Sequence, residues 1–136
     1  FYSLGGRDWL EVDKWLSPDE HECDWSDAVF CKMDGTGRRL INGLDLTRNG
    51  LLGSLPDELY LTTHLEFLRL SKNRIQGSIP RALFTLPSLA VLDVNSNELT
   101  GKFPETLGNE DDLVFMDVSH NMLTGTIPEG FNSLSV

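Results

Sequence analysis

The strongest constraint on this chain is a period. From Ile41 to Val136 the residues fall into rows of 24 that begin at Ile41, Leu65, Leu89 and Leu113, with no insertion or deletion. Four of the six prolines share one column and four of the twelve glycines share another. Self-similarity of this kind marks a solenoid, in which a unit too small to bury its own apolar face stacks on its neighbours.

Read down the columns, the rows specify their own local structure. The first position holds Ile41, Leu65, Leu89 and Leu113, the fourth Leu44, Leu68, Leu92 and Met116, and the sixth Leu46, Leu70, Val94 and Val118. Apolar residues at the fourth and sixth positions alternate as on the inward face of a short strand, so four rows predict a parallel sheet with strands about 4.8 Å apart. The ninth column is Asn49, Asn73, Asn97 and Asn121. An amide there can bond backbone groups of neighbouring turns, which offsets the cost of burying it. Glycine at the thirteenth position suits a positive φ, and the proline three residues later ends the extended segment. The remainder of each row, such as Pro80 to Leu86, is expected to run as a short helical or 3-10 segment on the opposite side. Thr62 and Glu110 interrupt the last apolar column, which Leu86 and Leu134 keep, so those two corners are expected to be looser.

The stretch Leu65 to Pro80, LEFLRLSKNRIQGSIP, resembles the plant-type leucine-rich repeat, and the G-x-I-P ending separates that subfamily from other leucine-rich repeats. The resemblance covers four repeats, 41–64, 65–88, 89–112 and 113–136. It implies a right-handed solenoid with a short parallel sheet on the concave face and 3-10 or loop segments on the convex face. It also implies a second short strand in each turn, around Leu51, Ile75, Leu99 and Leu123.

Residues 1–40 lack the period but supply Trp9, Trp15, Leu16, Trp25, Val29 and Phe30. A solenoid exposes the core of its first turn unless something covers it. This segment resembles the helical, disulfide-linked N-terminal cap of the same family, although Cys23 and Cys31 enclose seven residues where the cap motif has six. The two cysteines are spaced for one local bridge. Zinc would want four ligands, with only His21 nearby to join them, and the C-x-x-C of redox centres is absent. A bridge implies an oxidising compartment. That means an extracellular, secreted or ectodomain setting, or alternatively an organelle lumen, which the lack of an N-x-S/T sequon favours slightly. No capping sequence follows the fourth repeat, so the piece is expected to be truncated at both ends, with Leu113, Met116, Val118, Ile127 and Phe131 open to a continuing chain or a partner.

The net charge of −10, from 21 acids against 11 bases, speaks against nucleic acid or an anionic membrane as partner and leaves a protein or peptide, basic in character, as the better match. No stretch approaches the roughly 20 apolar residues of a membrane-spanning helix. The candidate binding surface is the outward face of the strands. The third column is Gly43, Phe67, Val91 and Phe115, the fifth Asp45, Arg69, Asp93 and Asp117, and the eighth Arg48, Lys72, Ser96 and His120. Phe67, Val91 and Phe115 form an apolar stripe beside a charged one, as in protein-binding faces with aromatic anchors. The same residues are also ordinary strand formers.

Three enzyme-like strings lack essential parts. Asp93, Asn95 and Asn97 open like a calcium loop, but Glu98 replaces its glycine and Pro104 its bidentate glutamate. Asp117, Ser119 and His120 sit too close along one strand for a catalytic relay, and Gly101-Lys102 lacks the flanks of a phosphate loop. The expectation is a non-enzymatic recognition module with no cofactor and no metal. The alternative is a structural subunit of a larger assembly, docked through its open end or its acidic cap.

Overall fold

The structure, a computed structural model, describes residues 2–10, 15–103 and 113–126. Pro104, Glu110, Ile127, Pro128, Phe131 and Leu134 lie outside these residues. The strands form two sheets that run the length of the solenoid. One comprises β1 (Val29–Met33), β2 (Arg39–Asp45), β4 (Phe67–Arg69), β6 (Val91–Asp93) and β8 (Phe115–Asp117), in that order. The other comprises β3 (Leu52–Ser54), β5 (Arg74–Gly77), β7 (Glu98–Lys102) and β9 (Met122–Thr124). Every row thus gives one strand to each sheet. The pairings from β2 to β8 are parallel, with residues of the same column facing each other: Leu44, Leu68, Leu92 and Met116 are consecutive partners.

The leucine columns turn inward as their alternation requires. Leu65, Leu68, Leu70, Ile75, Leu92, Val94, Leu99 and Met116 are essentially inaccessible to solvent. Full burial of such a side chain is worth about 1.5–3 kcal/mol. A parallel stack would strand backbone groups where each strand turns away, and the asparagine column prevents this. The Oδ1 of Asn73 accepts from the backbone N–H groups of Asn49 and Leu51, 3.0 Å from each. Its Nδ2 donates to the carbonyls of Leu46 and Leu70, at 2.9 and 2.8 Å. Asn97 repeats this one turn on, with Ile75 N–H at 3.0 Å and the Leu70 and Val94 carbonyls at 3.0 and 3.1 Å. Asn121 does the same with Leu99 N–H and the Val94 and Val118 carbonyls. Each amide therefore joins its own turn to the preceding one.

On the far side, Pro56 and Pro80 stand immediately before the 3-10 segments Asp57–Leu61 and Arg81–Thr85. The two segments pack differently. The second buries Leu83 and Phe84, with the Phe84 ring 5.6 Å from that of Phe103, whereas the first buries no residue. Thr62, where the apolar column is interrupted, is half-buried and donates its hydroxyl to the Leu59 carbonyl at 2.6 Å. Leu86, its counterpart, is buried.

The cap closes the first turn at both sheets. Its described helical residues are 3-10 turns, Tyr2–Leu4, Gly6–Asp8 and Glu22–Asp24. Its largest contribution is a strand that the repeat pattern does not contain: β1 pairs antiparallel with β2, with a register irregularity between Phe30 and Cys31. A bond between Cys23 and Cys31, with Cα atoms 5.8 Å apart, ties the third 3-10 turn to β1. Arg39 of β2 holds both oxygens of Asp24, at 2.8 and 2.6 Å, and this pairing raises the guanidinium pKa above its usual value. Trp9, Trp15 and Trp25 pack in sequence, the first pair edge to face and the second tilted, with centroids 5.1 and 5.7 Å apart, and the Trp9 indole donates to the Leu4 carbonyl at 2.7 Å. The first residues meet the second sheet at Gly53, whose φ of 115° and contact with the Ser3 carbonyl leave no room for a Cβ. Leu10 N–H donates to the Asn49 carbonyl at 3.1 Å.

Candidate recognition surface

Side chains that do not turn into the core from β2, β4, β6 and β8 project from the first sheet, and strict register makes each outward column a line across it. Gly43 pairs with Phe67, Phe67 with Val91, and Val91 with Phe115. Phe67, Val91 and Phe115 are half-buried. At the cap end the line goes further than the repeats do. Phe30 of β1 faces Gly43 across the antiparallel pair, and a Cβ at Gly43 would overlap the Phe67 ring. Because glycine leaves that space, the rings of Phe30 and Phe67 meet edge to face over it, 5.0 Å apart. Phe30 retains 43% of its accessible surface. Sequence reasoning placed Phe30 in the cap core and did not assign it to this face. Val29 and Phe30 are both apolar, so the residue types alone do not separate the buried one from the exposed one.

The fifth column lies beside this stripe. The Arg69 guanidinium is 5.1 Å from the centre of the Phe67 ring and 3.6 Å from the Asp45 carboxylate. Asp93 and Asp117 are register partners on adjacent strands. Each column aspartate also bonds the backbone two residues ahead, the local turn that aspartate favours. Asp45 accepts from Thr47 N–H at 3.2 Å, Asp93 from Asn95 N–H at 3.1 Å and its side-chain amide at 2.7 Å, and Asp117 from Ser119 N–H at 2.9 Å and its hydroxyl at 2.6 Å. These acids shape the turn after the strand as well as charging the face. Among the described residues, no three His, Cys, Asp or Glu side chains converge as a metal site would require.

Lys72 and His120 stand just past the strands rather than on them. The whole eighth column turns the backbone into the left-handed region, with φ of 57° at Arg48, 59° at Lys72, 53° at Ser96 and 53° at His120. The ladder nevertheless continues through the column: Arg48 N–H donates to the Ser71 carbonyl and Lys72 N–H to that of Asn95, both at 3.0 Å. Arg48, Lys72 and His120 are exposed along this margin of the sheet. At the other margin Glu66, just before β4, accepts from the Lys32 ammonium of β1 and, at 2.9 Å, from the Asn42 amide of β2. Lys32 first and Asn42 second hold the Glu66 carboxyl below the ordinary carboxylate range.

The leucine rich repeat family model matches residues 39–99 and again 63–123, together well over half of the chain. No curated protein matches it significantly. Among solved structures, the BIR2 ectodomain of Arabidopsis thaliana is 32% identical, with a TM-score of 0.80, over 97% of this chain and 69% of that one. The ectodomain of the plant membrane receptor kinase GASSHO1/SCHENGEN3 from Arabidopsis thaliana, solved in complex with CASPARIAN STRIP INTEGRITY FACTOR 2, is 35% identical with a TM-score of 0.76. That of the Arabidopsis receptor kinase HAESA, in complex with an extended IDA peptide hormone ligand, is 28% identical with a TM-score of 0.62. The chain is covered to 88% and 85% in these two cases, but spans only 14% and 24% of the ectodomains themselves. With its two sheets, asparagine ladder and bridged cap, the chain belongs to the leucine-rich-repeat family, in the plant-type branch that includes receptor kinase ectodomains.

Proposed function

We propose that this chain is a non-catalytic recognition module that binds a protein or peptide on the concave sheet, through Phe67, Val91 and Phe115 with Arg69, Lys72, Asp93, Asp117 and His120 around them. The observation that carries the reading is the line Phe30, Phe67, Val91 and Phe115, kept partly accessible although most residues of the inward columns are buried. Half-accessible aromatic side chains ringed by charge are the usual anchors of a binding face. The two ligand-bound relatives support a peptide or protein as the class of partner. The Cys23–Cys31 bond suits an oxidising compartment, and the ectodomain relatives support an extracellular one.

The test is a selection of displayed random peptides on the folded chain. Peptides so obtained should lose more than about 1 kcal/mol of affinity when Phe67 and Phe115 are both replaced by alanine, while the melting temperature holds. Peptides that bind the doubly substituted chain as well as the original would remove the concave face from consideration.

A further inference from the structure

The acidity of the whole chain does not describe this face. In the fifth and eighth columns turns one and two carry three bases, Arg48, Arg69 and Lys72, against one acid, Asp45, while Glu66 at the opposite margin is held by Lys32. Turns three and four carry Asp93 and Asp117 in the same columns, with Ser96 and His120 where the first two turns have Arg48 and Lys72. Asp45 lies 3.6 Å from Arg69. Among the described residues, Arg48 and Lys72 have no carboxylate within 4.0 Å, and Asp93 and Asp117 no ammonium or guanidinium. The charges left over are positive toward the cap and negative away from it, and the apolar line runs beside both.

Resting on the concave-face reading, we infer that the partner segment is an extended peptide of opposed polarity. It lies across the strands with acidic groups over turns one and two, apolar side chains on Phe67, Val91 and Phe115, and basic groups over turns three and four. Four parallel strands about 4.8 Å apart span about 14 Å, the length of four to five extended residues. A short segment therefore reaches from Lys72 to Asp117. A uniformly basic segment, the match suggested by net charge alone, would place its first residues against Arg48, Arg69 and Lys72. Like charges in that position oppose binding.

The test is an NMR titration of the 136-residue chain with three blocked hexapeptides that share two central apolar residues. The first is flanked by two glutamates on one side and two lysines on the other, the second by lysines on both sides, and the third by serines. The dipolar peptide should bind about fivefold or more tightly than either of the others, with the advantage shrinking as salt is raised to 0.5 M. Replacing Arg48 and Lys72 by serine should weaken the dipolar peptide several times more than the serine-flanked one. Asp93→Asn with Asp117→Asn should do likewise, since asparagine preserves the Oδ1 that accepts from Asn95 and Ser119.

A photoreactive residue beside the glutamates should label turns one and two. Equal or tighter binding of the all-lysine peptide, or labelling of turns three and four by the acidic end, would overturn the polarity while leaving the concave face in place. If shifts caused by all three peptides survive Phe67→Ala with Phe115→Ala, both the polarity and the face itself are wrong.

Discussion

The cap and the repeats do the same job by different means. Between repeats, one device recurs at each junction: an asparagine whose Oδ1 accepts from the preceding turn's eleventh-column N–H and whose Nδ2 donates to its sixth-column carbonyl. Between cap and first repeat each contact is made once. These are an antiparallel strand, a disulfide, a three-tryptophan cluster and a carbonyl set against Gly53. The repeat interface is distributed and periodic, while the cap interface concentrates its stability in a few groups. Local substitutions should therefore have consequences of different reach at the two ends, because a solenoid's stability is a sum of nearest-neighbour terms.

Asn73→Ala should be the most damaging change. It removes one acceptor and two donors from a buried junction, at about 1–3 kcal/mol for each group left unsatisfied with only partial additivity. A total loss of about 3–5 kcal/mol by urea denaturation is expected, spread over turns one and two. A loss below about 1 kcal/mol would mean that the ladder is ornamental. Cys23→Ser with Cys31→Ser should cost about 2–3 kcal/mol by loop entropy. The cost should be confined to the cap: amide exchange should accelerate in β1 and at Leu10 and stay slow at Ile75 and Leu99. Uniform acceleration would show that cap and repeats are one cooperative unit.

Gly53→Ala meets both a φ of 115° and the Ser3 carbonyl, and should cost about 1–3 kcal/mol and release the first residues. Ser96→Gly acts in the opposite direction. By relieving a left-handed residue at φ 53° it should raise stability by about 0.5–1 kcal/mol, readable as a higher melting temperature.

The smallest effect is that of pH at the margin where cap meets repeat. The folded state holds the Glu66 carboxyl below its ordinary value of 4.5, chiefly through Lys32. Its contribution is therefore present above the unfolded pKa and is lost as pH falls through the lower folded value. Glu66→Gln should flatten the decline in stability below pH 4.5 without altering stability differences among repeat variants. An unchanged pH profile would remove the Lys32–Glu66 pair from the account.

What the sequence disclosed follows the same division. Columns repeated four times announce both their direction and their bonding, so the inward leucines, the asparagine ladder and the line from Phe67 to Phe115 could be read from the sequence, while the second strand near Leu51, Ile75, Leu99 and Leu123 was implied by the family resemblance. The strand β1 could not, because its pairing is antiparallel and occurs once. Phe30 was missed with it, since only the register of β1 on β2 brings it over Gly43. The left-handed eighth column was hidden for another reason. Arg48, Lys72 and Ser96 are not residue types that advertise a positive φ, and His120 alone is too weak a signal to mark the column. That is why Lys72 and His120 stand at the margin of the sheet instead of along its strands.

Amide exchange at the eleventh column is the most direct test of stacking in register. The N–H groups of Leu51, Ile75 and Leu99 each donate to an asparagine Oδ1 at 3.0 Å. They should exchange as slowly as the most protected amides of the core, and Asn73→Ala should expose Leu51 far more than Leu99. Rapid exchange at all three in the unaltered chain would mean that the turns are not joined in this way, and the aligned face built on that register would have no basis.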